Sequence, residues 1–111
     1  MEKQTLLKQI WLGLAMLACF FGAYAQTPTG PALAQQYGCL NCHNVEQKMV
    51  GPAYKSVSEK YQADTIGATP LLIQKIKNGG AGNWGRIPMP ANPNVSDADL
   101  KTLVTWILSL K

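Results

Sequence analysis

A chain of 111 residues with one histidine and a formal charge of +4 has room for a single small domain. Its basic excess is too mild for nucleic-acid binding, and no block of arginines supports that class. With three cysteines in all, it is also not a disulfide-rich scaffold.

Residues 1–25 read as an export signal. Lys3 and Lys8 give a basic start, Ile10 to Phe21 an apolar core, and Ala23-Tyr24-Ala25 a small-x-small cleavage site before Gln26. The uncharged stretch is short for a membrane span, which needs about 20 residues. A retained anchor is the alternative to cleavage. Met16-Leu17-Ala18-Cys19 faintly resembles a lipoprotein box, but cutting there would leave an apolar Phe20-Phe21 start. Cleavage after Ala25 places the mature chain, residues 26–111, in the periplasm. It removes Cys19 and leaves Cys39 and Cys42, so no structural disulfide is available outside that pair. Eight basic and five acidic residues remain, a formal +3. A mature chain of this length buries too little surface to be comfortable without a staple.

The mature chain reads as all-α, about four short helices, with no convincing strand. Pro31 opens a helix through Ala32, Leu33, Ala34 and Tyr37, closed by Gly38. Pro52 opens a second segment in which Tyr54, Val57 and Tyr61 recur at helical spacing. Thr69-Pro70 reads as the start of a third helix carrying Leu71, Leu72, Ile73 and Ile76, ended by Gly79-Gly80. Residues 78–94, rich in Gly, Pro and Asn, form a long loop whose Trp84, Ile87 and Met89 are not disorder-like. Ser96 caps the last helix, with Asp97 and Asp99 in its first turn and a Val95–Leu100 hydrophobic staple. Leu100, Leu103, Val104, Ile107 and Leu108 form its apolar face.

Between the first two segments stands Cys39-Leu40-Asn41-Cys42-His43. Two thiols with an imidazole directly after the second is the spacing that attaches a haem covalently. The sulfurs add to the two vinyl groups of the porphyrin, and His43 faces the iron. A zinc site wants four Cys or His ligands, more than the mature chain offers. A thioredoxin-like pair needs a strand-then-helix setting that is missing here. A Cys39–Cys42 disulfide is the alternative where haem attachment fails. One covalent haem c is therefore the expected cofactor and the centre of the core, without which little stable structure is expected.

Iron held by His43 needs a ligand on the opposite face. Met1 and Met16 fall in the signal, and Met49 is close to His43 in sequence. Met89 stands far along the chain between Pro88 and Pro90, which fix its backbone. A core methionine is the competing reading, but no second histidine exists to take the place. Were Met89 loose, the iron would be open to small ligands and an enzyme or sensor would be the better reading.

In order along residues 26–111, Cys39-x-x-Cys42-His43, Gly51-Pro52-Ala53-Tyr54, Lys77-Asn78-Gly79, Trp84-Gly85-Arg86-Ile87-Pro88-Met89-Pro90 and Val95-Ser96-Asp97 resemble the small monohaem class I cytochromes c of bacteria. Among these they resemble the soluble carriers that feed nitrite reductase and terminal oxidases. The resemblance implies a cytochrome c fold and a periplasmic electron carrier rather than an enzyme. It implies Met89 as sixth ligand and Pro52 as the carbonyl that accepts from the ligand histidine. Trp84 would donate to a haem propionate, and Asn92 would lie close to the ligand methionine. On residue type alone, Trp84 is as well explained as a packing aromatic and Asn92 as a turn residue before Pro93. Lys75 stands where some relatives have an arginine, and Pro93-Asn94 makes the loop one residue longer than in some relatives. Expected partners are redox proteins with acidic docking faces, met by a ring drawn from Lys48, Lys55, Lys60, Lys75, Lys77 and Lys101. No stable membrane insertion after cleavage and a monomeric state are expected.

Overall fold

The computed structural model describes residues 22–23 and 25–111. The expected export signal falls almost entirely outside these residues. Among them lie four α-helices and one small hairpin: α1 (Gly30–Gln36), α2 (Tyr54–Tyr61), α3 (Thr65–Asn78), β1 (Gly80–Gly82), β2 (Gly85–Met89) and α4 (Asp97–Ser109).

Three of the four helices begin where a side chain satisfies a free N–H group; α2 instead gives its Tyr54 and Lys55 amides to the backbone carbonyls of Asn44 and Val45. Thr29 accepts from the Ala32 amide, with Pro31 in the first turn of α1. Gly38, left-handed at φ 72°, ends that helix as expected. Ser96 accepts from the Asp99 amide at the start of α4, with Asp97 and Asp99 in its first turn.

The third helix starts earlier than its sequence suggests. Asp64, not Thr69, is the cap, accepting from the Gly67 amide at 2.8 Å. Pro70 therefore sits inside α3, where it removes the hydrogen bond that the Ile66 carbonyl would accept. Ile66 is 88 % exposed, so this loss falls on the solvent-facing side of the helix. The Thr69 hydroxyl donates back to the Thr65 carbonyl at 2.7 Å rather than capping anything.

The expected strandless loop is also corrected. Strands β1 and β2 pair antiparallel, Gly80 opposite Met89 and Gly82 opposite Gly85, with an irregularity between the two pairs. Asn83 and Trp84 form the turn. Three of the paired positions are glycines at φ between 112° and 126°, which carry no side-chain alternation to announce a strand.

The core is arranged around α4, which packs against α1, α2 and α3. Leu33 and Ala34 of α1 meet Val95, Leu100 and Leu103, so the expected staple pair lies in one buried cluster. Tyr54 and Val57 of α2 meet Ile107 in a second. Polar ties fasten the edges. The Tyr37 hydroxyl donates to Asp99 at 2.7 Å, Lys77 pairs with Asp97 at 3.0 Å, and the Ser58 hydroxyl lies 2.9 and 2.8 Å from the carbonyls of Leu108 and Leu110.

The Tyr37–Asp99 bond predicts a pH dependence. Donation to the carboxylate raises the phenol pKa above its ordinary value. The stabilisation is thus complete below the usual tyrosine range and is lost as pH climbs through the raised value. Tyr37→Phe is expected to lower the denaturation midpoint at neutral pH, with the difference from wild type shrinking in strong alkali. Parallel midpoint curves across that range would contradict it.

Candidate haem site

The attachment motif is shaped by one tight turn. After left-handed Gly38, residues Cys39–Asn41 form a single 3₁₀ turn, and the amides of Cys42 and His43 both donate to the Cys39 carbonyl, at 3.2 and 3.0 Å. That turn gathers Cys39, Cys42 and His43 at one wall of a cavity of about 400 Å³. Leu72 and Ile76 of α3 and Leu103 and Ile107 of α4 supply apolar lining.

His43 is fixed from three directions. Its Nδ1 lies 2.8 Å from the Pro52 carbonyl and donates to it, which leaves Nε2 as the nitrogen free to bind a metal. Tyr54 stacks on the ring, centroids 5.0 Å apart and planes within 14°. Behind Tyr54, Trp106 makes an edge contact at 5.4 Å. On the remaining side stands Gly51: a Cβ there would collide with Cε1 of the imidazole. The Gly51 amide donates to the Cys42 carbonyl at 2.8 Å, so the loop and the ring are locked together.

Cys39 and Cys42 are not joined to each other as a disulfide. Burial pushes the Cys39 thiol above its ordinary pKa, partly offset by a hydrogen bond with the Tyr54 hydroxyl. Burial likewise raises the Tyr54 phenol, helped by the neighbouring sulfur, so both groups stay neutral through the physiological range. No group of three or more His, Cys, Asp or Glu side chains suited to a metal ion occurs among the described residues.

The hairpin also borders the cavity. Trp84, Ile87 and Met89 line the cavity, as does Lys75 of α3. Met49 also lines it, from the 43–52 loop that is bonded to the His43 side. Of the residues singled out in the sequence, Cys39, Cys42, His43, Pro52, Trp84 and Met89 all border this one cavity. Asn92 does not. Its amide nitrogen donates to the carbonyls of Pro90 (3.1 Å) and Ile76 (3.4 Å), and its own N–H also bonds to Ile76, tying the loop after Met89 to α3. Two contributors escaped the sequence reading, Gly51 as the space beside the imidazole and Tyr54 as its stacking partner. Their signal was their position in Gly51-Pro52-Ala53-Tyr54, a motif quoted whole but not resolved into roles.

The profile of the cytochrome c family matches residues 28–111. The chain belongs to that family. Cytochrome c-552 of Nitrosomonas europaea is 50% identical over 106 residues, covering 95% of this chain and all of that protein. Cytochrome c-551 of Allochromatium vinosum is 55% identical over 78 residues, 70% of this chain and 82% of its own length. The crystal structure of the wild-type Nitrosomonas europaea cytochrome c552 superimposes with a TM-score of 0.67 at 56% identity, covering 71% of this chain and 96% of that one. This cytochrome is thus a small class I monohaem protein with one covalently attached haem c, an electron-transfer protein and not an enzyme. The cavity fits that group on its own chemistry, with two adjacent thiols, an imidazole whose second nitrogen is free, and apolar walls.

The Gly51 contact generates a test. Gly51→Ala is expected to push the imidazole out of line, lowering the yield of haem-loaded protein and destabilising it by roughly 1–3 kcal/mol, as overpacking does. An unchanged absorption spectrum and denaturation midpoint would refute the steric role.

Proposed function

We propose that this cytochrome is a periplasmic carrier of single electrons in which His43 and Met89 are the axial iron ligands and Cys39 and Cys42 the thioether attachments. The observation that carries the reading is the placement of the Cys39–His43 turn and the Met89 hairpin on a single apolar cavity. When bound, haem supplies one-electron exchange between ferric and ferrous iron.

Each protein group then has a defined task. Cys39 and Cys42 hold the porphyrin edge, and the turn between them sets its orientation. His43 presents Nε2 because Nδ1 is engaged by Pro52, an interaction that also makes the ring a better donor to iron. Met89 offers a soft thioether, which favours the ferrous state and raises the potential. With His43 and Met89 both bound to iron, no place would be left for oxygen or a substrate. The walls of Leu72, Ile76, Leu103 and Ile107 exclude water and destabilise charge at the centre. Trp84 is proposed to donate to a propionate, and Asn92 to hold the backbone after Met89 in place.

Location follows from the N-terminal reading: residues 1–25 as a signal cleaved after Ala25. No helix among the described residues is long and apolar enough to cross a membrane. Redox proteins are the partners, and acidic docking faces suit the charges near the cavity. Lys48, Lys75 and Arg86 border it. Lys55 and Lys77 are spoken for by Glu46 and Asp97, and Lys101 lines a shallow cleft beside Trp106 instead. The cations on the cavity rim are therefore the leading candidates for steering. A monomeric carrier suits transient docking, and the resemblance to donors of nitrite reductase and terminal oxidases suggests acceptors of that kind.

Met89→Ala is expected to lower the reduction potential, by about 59 mV for each tenfold loss of ferrous preference in a one-electron couple. It should also let carbon monoxide bind the reduced protein promptly. Unchanged potential and unchanged carbon monoxide behaviour would exclude Met89 as the ligand. Electron exchange with an acidic redox protein is expected to slow by roughly tenfold or more as salt rises from millimolar to several hundred millimolar. A rate indifferent to salt would remove the charge-steering proposal.

A further inference from the structure

The hairpin that delivers Met89 is weakly supported by its own sequence. Gly80, Gly82 and Gly85 are all at positive φ, β2 is exposed over most of its length, and Ile87 is 67 % exposed. Such a ribbon of two short strands is marginal alone. Among the described residues, only one side-chain hydrogen bond reaches it. Lys60, in the last turn of α2, donates from Nζ to the Asn83 carbonyl at 3.3 Å. The same ammonium lies 4.7 Å from the centroid of the Trp84 ring, which is 39 % exposed. One charge therefore engages both residues of the turn, one through its backbone and the other through its ring face.

We infer that Lys60 is a latch: by holding the Asn83–Trp84 turn against α2 it keeps the hairpin closed and so positions Met89 on the iron. Lys60 touches neither iron nor methionine and acts through the turn. The geometry suits lysine. A compact ammonium on a long stem can sit over an indole face while one of its three N–H bonds is given to a carbonyl. A cation on that face also draws electron density from the indole, which strengthens its N–H as a donor towards a propionate. The latch joins residues 23 positions apart in sequence, and it takes no part in the Pro52, Tyr54 and Gly51 contacts that fix His43. Loosening it therefore frees the methionine side while leaving the histidine side fixed.

The inference rests on Met89 being the ligand, and the test separates the two. In the ferric, haem-loaded protein, amide hydrogen exchange is followed across residues 80–89 with α4 as internal reference. The limiting rate at which added imidazole binds iron is measured on the same samples. Lys60→Met is expected to raise hairpin exchange and the imidazole limit together, by about three- to tenfold, with exchange in α4 unmoved. Lys60→Arg, which keeps a cation and a donor, is expected to restore both. Hairpin exchange unchanged in Lys60→Met overturns the latch, as does a failure of arginine to restore it. If exchange rises while the imidazole limit responds to neither Lys60→Met nor Met89→Ala, the assignment of Met89 fails, and the claim that the latch acts on the iron falls with it.

Discussion

The hydrogen bond from His43 Nδ1 to the Pro52 carbonyl fixes which nitrogen can meet a metal, and much of the structure serves to maintain it. Proline is a sensible source for that carbonyl, since its ring holds the backbone and it has no N–H to compete locally. The bond works only because Gly51 leaves a void where the imidazole lies, and because the Gly51 amide ties back to Cys42. Tyr54 closes the remaining face by stacking, and the same residue opens α2. Thus the start of a helix, a bare glycine and a carbonyl together hold one ring against rotation.

Helix α4 is the counterpart at the scale of the whole domain. It contributes Leu103 and Ile107 to the cavity wall and Leu100, Leu103 and Val104 to the deepest part of the core. The helix is therefore a support for α1 and α2 and a surface for the porphyrin at once. The contrast with the hairpin is chemical. The His43 side is held by several mutually reinforcing contacts, whereas the Met89 side relies on backbone pairing among glycines, on Lys60 at the turn, and on Asn92, which fastens the loop beyond it to α3. A site stiff on one side and lightly held on the other could keep its cofactor attached while admitting adjustment at Met89, the proposed second ligand.

Legibility from sequence followed how local each cause was. The attachment motif, the Gly38 stop and the Ser96 cap were readable because neighbouring residues determine them. The start of α3 was misplaced because Asp64 and Thr69-Pro70 both carry start signals. Asp64 prevailed because Gly67 admits its carboxylate and the bond lost at Pro70 falls on the solvent-facing side of the helix. The hairpin went unseen because period-two alternation needs side chains, and Gly80, Gly82 and Gly85 have none. Asn92 also ties the loop to the helix, a role that only the position of Ile76 reveals. The roles of Gly51 and Tyr54 were hidden for the same reason: each depends on where the imidazole lies.

The packing of α1 on α4 also governs when the domain can close. Leu33 and Ala34 find their partners in Val95, Leu100 and Leu103, close to the end of the chain. A polypeptide made from its N-terminus presents Cys39 and Cys42 long before those partners exist. Until that helix is in place, neither the core around Leu33 nor the cavity wall of Leu103 and Ile107 is complete. Completion of the core and enclosure of the porphyrin thus depend on the same last helix.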